Sequence, residues 1–349
     1  MRFEFSIMLK LRTQISKRIR FAGVILVCFC FQLIAVNGTL YAQDPSFSQF
    51  YSSPMFMAPS FAGAVKGSRL SLNYRDQWPS IPGTFVTYGA AYDHNFPDFN
   101  SGFGFFILRD VAGSSKLSLT NLGAAYSYNI KVSSEWNVRP GISFYYFQRS
   151  LDYSRLIFGD QLTSNPTPST SVNPYPGKDK IQDVDASSSV LFYNSVFWGG
   201  ATVDHLLKPN RAFTDNSDRV PMRIALYSGI RIVLQGPSRK LVQESLSFAF
   251  YYKQQDIFRQ LDLGVYWYRM PLIVGVWYRG IPVFKEYPGS DAAIFLVGYK
   301  MNGIQIGYSY DATISKLGPQ TGGAHEISFV YEFNITPKKR WGAVPCPEF

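Results

Sequence analysis

Residues Gly303–Asp311 read GIQIGYSYD. Ile304, Ile306, Tyr308 and Tyr310 fall on one side of an extended chain, and Gln305, Gly307, Ser309 and Asp311 on the other. A period of two defines a strand with one apolar and one polar face. The same beat runs through Glu326–Phe333 (EISFVYEF) and Met222–Leu234 (MRIALYSGIRIVL). Working outward from these, the chain reads as fourteen strands over 68–77, 84–94, 101–111, 116–131, 135–149, 186–194, 196–206, 222–234, 242–254, 258–269, 271–281, 290–301, 303–314 and 323–335. Most match the roughly 9–11 residues of a tilted membrane-crossing strand, not the ~5–6 of a globular one.

Two architectures hide apolar faces of this kind. A soluble sandwich buries them between sheets; a membrane barrel turns them to lipid and keeps polar residues inside. Loop lengths favour the barrel. Connections at one end are mostly tight, as at Val132–Ser134, Met270–Pro271 and Met301–Gly303, where Asn302-Gly303 is a hairpin dipeptide. Connections at the other end are mostly long, as at Ser150–Asp185, Leu207–Pro221, Pro282–Gly289 and Ser315–Gly322. Outer-membrane barrels sort their loops in this way, with short turns in the periplasm. The expected fold is therefore all-β: a transmembrane antiparallel outer-membrane β-barrel of about 14 strands over residues 67–335.

Composition agrees. Charged residues make up 17% of the 349 and aromatics another 17%, against about 25% charged in an ordinary soluble domain. Mean hydropathy is −0.05, too low for a helical membrane protein. The net charge of +10 is uneven. Residues 1–42 read as a signal peptide, with Arg2, Lys10, Arg12, Lys17, Arg18 and Arg20 before an apolar run Phe21–Val36 and a cut near Ala42. That leader carries half of the excess. The remainder is dispersed, with no basic stripe for nucleic acid. Cys28 and Cys30 lie in the leader, so Cys346 stands alone and no disulfide framework exists.

Residues 43–66 (QDPSFSQFYSSPMFMAPSFAGAVK) precede the first strand and are too apolar for a disordered tail. They are expected to pack in or at the lumen as a plug. Residues 336–349 form a tail beyond the last strand, which an even strand count returns to the periplasm if the N-terminus is periplasmic. Alternation assigns Arg75, Asp93, Arg139, Arg231, Asp262, Asp311 and Glu332 to the lumen, either as a pore lining or as mutually paired buried charges. It assigns Val86, Ile142, Phe144, Phe248, Phe250, Val265, Ile304, Ile306 and Phe329 to lipid. Tyr88, Tyr92, Tyr146, Tyr308, Trp267 and Trp277 are read as interfacial girdle residues. His94, His205 and His325 lack metal-ligand spacing, and no nucleophile elbow or phosphate loop is present. Neither a cofactor nor an enzymatic activity is expected.

Three stretches resemble the PorP/SprF family of type IX secretion and gliding-motility outer-membrane proteins. The first is the opening QDPSFSQFYSSPMFMAPSFAGA with the strand LSLNYRDQW, in which Phe50, Tyr51, Pro54, Pro59, Phe61, Ala62, Gly63, Asn73, Tyr74, Arg75, Gln77 and Trp78 carry the likeness. The second is LDYSRLIFGDQL in the longest loop, with Asp152, Leu156, Phe158, Asp160 and Gln161. The third is the tail KKRWGAVPCPEF, with Trp341, Cys346 and Phe349. The resemblance implies an outer-membrane protein that binds, helps export or anchors a secreted adhesin or effector through its type IX C-terminal sorting domain. Alternatively it implies a barrel linked to the periplasmic ring or peptidoglycan-associated parts of the machine. The outer loops 150–185, 207–221 and 282–289 are the expected docking surface, with outer-membrane lipid around the barrel. A diffusion channel or hydrophobic-substrate transporter is the competing reading.

Overall fold

The computed structural model describes residues 44–157, 161, 178–214, 217–236, 242–281, 291–315 and 318–333. Its strands are β1 (Ser68–Gln77), β2 (Phe85–Phe96), β3 (Ser101–Ala112), β4 (Leu117–Tyr128), β5 (Ile130–Lys131), β6 (Asn137–Ser150), β7 (Lys180–Tyr193), β8 (Phe197–Asp204), β9 (Arg223–Gln235), β10 (Glu244–Gln255), β11 (Phe258–Arg269), β12 (Leu272–Arg279), β13 (Ala292–Met301), β14 (Ile304–Thr313) and β15 (Ala324–Phe333). Each pairs antiparallel with its sequence neighbour, apart from the two-residue β5, which continues β4 against the start of β6 while β4 itself pairs with β6. The ring closes where β1 meets β15, from Ser68↔Phe333 to Gln77↔Ala324. The fold is a closed 14-strand barrel with β5 as an extra short strand, as the alternation implied.

Closure gives each of the fourteen described barrel strands a partner on both sides, which lipid requires because it offers backbone groups no hydrogen bonds. The outward phase is apolar: Phe105, Leu122, Phe144, Phe295 and Ile306 are all more than half exposed. A soluble protein does not expose a continuous apolar belt of this kind. Tyr88, Tyr92, Tyr146, Tyr308 and Trp267 also face outward.

The structure corrects the sequence reading at two places. Trp277, read as a girdle residue, is 3% exposed and faces the lumen. Strand β12 (LIVGVWYR) is apolar on both faces, so alternation gives no phase there; the phase is set by inward Ile273, Gly275 and Arg279. Strand β7 begins at Lys180, not 186. The stretch KIQDVD already alternates, and its pairing with β6 runs to Ser150↔Lys180. The longest loop therefore spans 151–179.

The barrel's core lies inside it. Tyr51, Met57, Ala58, Phe61 and Ala64 of the N-terminal segment pack on Leu191, Trp198, Tyr227, Tyr266, Ile273 and Trp277 of the wall. A smaller cluster joins Met55 and Ala62 to Ala91 and Ala125. The lumen is thus apolar on its β7–β13 side, where the N-terminal segment packs.

Candidate functional site

The segment Asp44–Gly67 runs through the lumen from the long-loop end to the short-turn end. Its start is held at the mouth. Asp44 takes hydrogen bonds from His205 Nε2 at 2.5 Å and Arg211 at 3.0 Å, with Arg223 at 3.5 Å and Gln255 at 3.3 Å. His205 is fixed from behind by Asp185, 2.6 Å from its Nδ1, and Asp185 also accepts from Tyr145. Burial alone would raise the Asp44 pKa. The charges of His205, Arg211 and Arg223 outweigh it and hold the carboxyl well below the usual range. Burial would depress His205, but Asp44 and Asp185 lift it to about 9.

The next turn of chain meets a second charged group. Glu326 accepts from the backbone N–H groups of Ser48 at 2.7 Å and Gln49 at 2.9 Å. Gln49 in return donates to the Glu326 carbonyl and accepts from Ser328 Oγ. Arg75 bridges Asp311 at 2.9 Å and Glu326 at 3.3 Å, and Arg279 reaches Asp311 at 2.8 Å. All four ions are buried, and each has an opposite charge and further hydrogen bonds, the condition under which buried ions are tolerated.

Lower down, two prolines set the path. Pro54 and Pro59 each occupy the first position of a single-turn 3-10 helix, Pro54–Phe56 and Pro59–Phe61, where a missing N–H costs nothing. Between the mouth and these turns, Phe50 stacks on Tyr251 and meets Trp277 edge-on at 4.9 Å. Tyr51 meets Tyr266 edge-on at 5.2 Å, and Asn73 donates to Ser52 Oγ at 2.7 Å. Phe61, fully buried, packs against both Trp198 and Tyr227, whose rings also touch each other. Its neighbours are bolted to the wall: the Ala62 carbonyl accepts from Arg139 at 2.6 Å and Ser127 at 2.7 Å, and Gly63 N–H donates to Asp93 at 2.8 Å. Asp93 also pairs with Arg69 at 2.9 Å. Gly63 has φ +62, and a Cβ there would lie 2.5 Å from the His94 carbonyl oxygen. Only glycine fits such a left-handed, crowded position.

Most of the residues singled out in the opening converge on one feature; Tyr74 instead faces outward against Tyr88. Phe50, Tyr51, Pro54, Pro59, Phe61, Ala62 and Gly63 form the lumenal segment. Asn73, Arg75 and Gln77 are the inward phase of β1. Trp78, at φ +61, ends that strand and packs edge-on against Phe85. Of the lumen charges, Asp93, Arg139, Arg231, Asp262 and Asp311 are buried, and Glu332 is half-buried opposite Arg69. The loop residues do not join them. Asp152 caps the turn Tyr153–Arg155 and pairs with exposed Arg155 at 2.8 Å; Leu156 and Gln161 are half-buried. Phe158, Asp160, Trp341, Cys346 and Phe349 lie outside the described residues, as do 1–43 and 334–349.

Sequence reasoning missed Asp44, His205, Arg211, Arg223, Arg279 and Glu326. Glu326 and Arg279 carry the same inward phase as the charges that were picked, so alternation could have found them. Nothing local marks Asp44 or His205, which meet across nearly half of the chain.

Above the segment a cavity of about 980 Å³ remains. It opens at the long-loop end, and Asp44, Pro45 and Ser46 form its floor. Among the described residues, no group of three or more His, Cys, Asp or Glu is arranged to hold a metal ion.

A closed barrel with an apolar outer belt and a lumen filled by its own N-terminal segment defines an outer-membrane β-barrel protein. The family described as "Type IX secretion system membrane protein PorP/SprF" matches residues 39–331. The chain belongs to that family. Solved barrels are loosely similar. The outer membrane protein Omp33 of Acinetobacter baumannii shares 6% identity over 78% of this chain and 100% of its own, with a TM-score of 0.43. A Pseudomonas aeruginosa FadL homologue shares 13% over 85% and 96%, with a TM-score of 0.44. The CymD monoaromatic hydrocarbon channel shares 9% over 81% and 93%, also with a TM-score of 0.44. Among curated proteins nothing matches.

Proposed function

We propose that this protein is a non-conducting, non-enzymatic receptor barrel. It holds a secreted adhesin or effector at the cell surface through the client's type IX C-terminal sorting domain. One observation carries the reading: the lumen is filled from Asp44 to Gly67, while the large cavity opens at the long-loop end, the end that faces outward in an outer-membrane barrel. A diffusion channel or hydrophobic-substrate transporter needs a through path, and the bolts at Ala62 and Gly63 lie across it. A blind cup instead suits a partner arriving from outside. The family membership supports a secretion role. The long loops supply the rim, with Ile157 72% exposed.

The test is site-specific photo-crosslinking in the native membrane. A photoreactive residue at Ile157 is compared with one at Val132, which is 64% exposed on a short turn. Adducts are identified by mass spectrometry. A large secreted protein with a C-terminal sorting domain, captured from position 157 and not from 132, is the expected result. Adducts confined to periplasmic secretion components would refute client anchoring and favour a role in the core machine.

A further inference from the structure

Strand β7 reaches further toward the long-loop end than its neighbour β8. Its pairing with β6 runs from Asn137↔Tyr193 to Ser150↔Lys180, whereas its pairing with β8 covers only Tyr193↔Trp198 to Ser188↔Val203. Past that point the chain after β8 turns away. Leu206 N–H still reaches the Ala186 carbonyl at 3.0 Å, and Lys208 N–H then closes a turn on the His205 carbonyl. Successive residues of a strand direct their N–H and C=O groups to opposite sides. The Asp179 carbonyl accepts from Leu151 on the β6 side, and the Ala186 carbonyl from Leu206 on the β8 side. Odd-numbered residues of this stretch therefore face β6, while Lys180, Gln182 and Val184 face away from it. Asp183 Oδ1 takes the Val184 N–H at 2.8 Å. Among the described residues, no backbone group pairs on that side with the N–H and C=O of Lys180 and Gln182 or with the C=O of Val184.

The open edge lies past the apolar belt. Val184, 57% exposed, is the last apolar residue in the outward phase of β7, and Gln182 stands beyond it in a polar row with Gln148 and Thr120. The loop sequence that precedes β7 is a poor partner for the edge, because Pro166, Pro168, Pro174 and Pro176 lack the N–H a ladder needs. An exposed edge of this kind is a template for another strand.

We propose that Lys180–Val184 is a strand-addition site, at which an extended segment of a polypeptide outside the cell adds antiparallel to the barrel wall. Main-chain hydrogen bonds supply the affinity in this mode, and alternate side chains supply the selectivity. Residues of the segment opposite Lys180 and Gln182 share their outward face, where an acid suits Lys180. The residue opposite half-buried Ile181 shares its inward face and is apolar. The inference rests on the preceding reading in one respect, the choice of a secreted client as the source of the segment.

The probe is N-acetyl-Val-Thr-Thr-Val-Glu amide, written to lie antiparallel along the edge from Val184 to Lys180. Its control is the same peptide N-methylated at the central threonine, the residue that would exchange hydrogen bonds with Gln182. Hydrogen exchange of the full-length barrel in nanodiscs is followed residue by residue by NMR. Without peptide, the Lys180 and Gln182 amides should exchange as in an open chain, while Ile181 and Asp183, which face β6, are protected. A few millimolar of the peptide should slow Gln182 by about tenfold or more and leave Ile181 unchanged. The N-methylated peptide should protect nothing. Gln182→Pro removes a donor that β6 does not use and should leave Lys180 unprotected by the peptide, whereas Gln182→Ala should respond as the parent does. Retained protection of Ile181 verifies that each variant keeps its pairing with β6. Protection of Gln182 in the peptide-free barrel would show an edge already occupied, by the chain's own loop or by a second copy, and would overturn the site. No protection at a few millimolar, or equal protection by the N-methylated peptide, would overturn it as well. Client crosslinking from position 157 together with an unresponsive edge sinks this site and leaves anchoring intact. A responsive edge without client adducts sinks anchoring alone.

Discussion

Asp44→Asn tests the charged clasp that holds the lumenal segment at the mouth. The carboxylate faces His205, Arg211 and Arg223, and the amide would leave these cations without their shared partner. Removing one member of a buried ion pair costs about 3–5 kcal/mol. His205 can limit the loss by releasing its proton, so a value near the lower end, about 3 kcal/mol, is expected. The pH dependence makes the test sharper. His205 titrates at about 9 in the folded barrel, against an ordinary value of 6.5. A raised pKa stabilises fully below the unfolded value and is lost as pH rises through the folded one, so stability should fall between roughly pH 6.5 and 9. The proton held more tightly by the folded barrel contributes about 3 kcal/mol, since each tenfold gain in proton affinity is worth about 1.4 kcal/mol. Asp44 is depressed, so its contribution is present above roughly pH 4 and is lost as pH falls further. Urea unfolding followed by tryptophan fluorescence from pH 3 to 10 should show a maximum between these limbs. In Asp44→Asn the acid limb should flatten and the alkaline limb shrink to what Asp185 sustains; His205→Gln should remove the alkaline limb. A variant within about 1 kcal/mol of the parent at pH 6, with both limbs unchanged, would refute the clasp.

Three further outcomes follow from the same packing. Phe61→Ala removes the ring that packs against Trp198 and Tyr227 and should cost about 3–5 kcal/mol in the same assay; a loss under about 1 kcal/mol would mean that the lumenal core contributes little. Gly63→Ala places a methyl against the His94 carbonyl at positive φ, and should slow or prevent conversion to the heat-modifiable closed form in a refolding gel assay. Parental refolding would show that the chain path at Gly63 is wrong. Leu122→Arg, mid-strand on β4 and 56% exposed to lipid, should cost about 2–4 kcal/mol on folding into vesicles, whereas the same change at inward Asn121 should not follow that depth dependence. A neutral Leu122→Arg would contradict the orientation of the strand.

Most of the wall was legible because lipid and lumen impose opposite demands on successive residues. Strands such as β14 and β15 obey that rule over their full length. It failed where both faces are apolar: Trp277 could not be phased from LIVGVWYR, because its inward side packs on Phe50 and not on water or charge. It also failed at the start of β7, where polar KIQDVD looked like loop while its hydrogen bonds were already committed to β6. The N-terminal segment was recognisable as something that packs, from its aromatics and prolines. Its route was not, because that depends on contacts such as Asp44 with His205 and Gln49 with Glu326, which no local pattern encodes. Three scattered histidines without ligand spacing gave no reason to single out His205.

The central claim is that the lumen is blocked by its own chain. Single-channel recording of the full-length barrel in a planar bilayer tests it directly, with a variant lacking residues 44–66, the bolted Ala62 and Gly63 included, as the open control. The account predicts no conductance steps from the intact protein and stable, large steps from the variant. Sustained conductance through the intact barrel would contradict it.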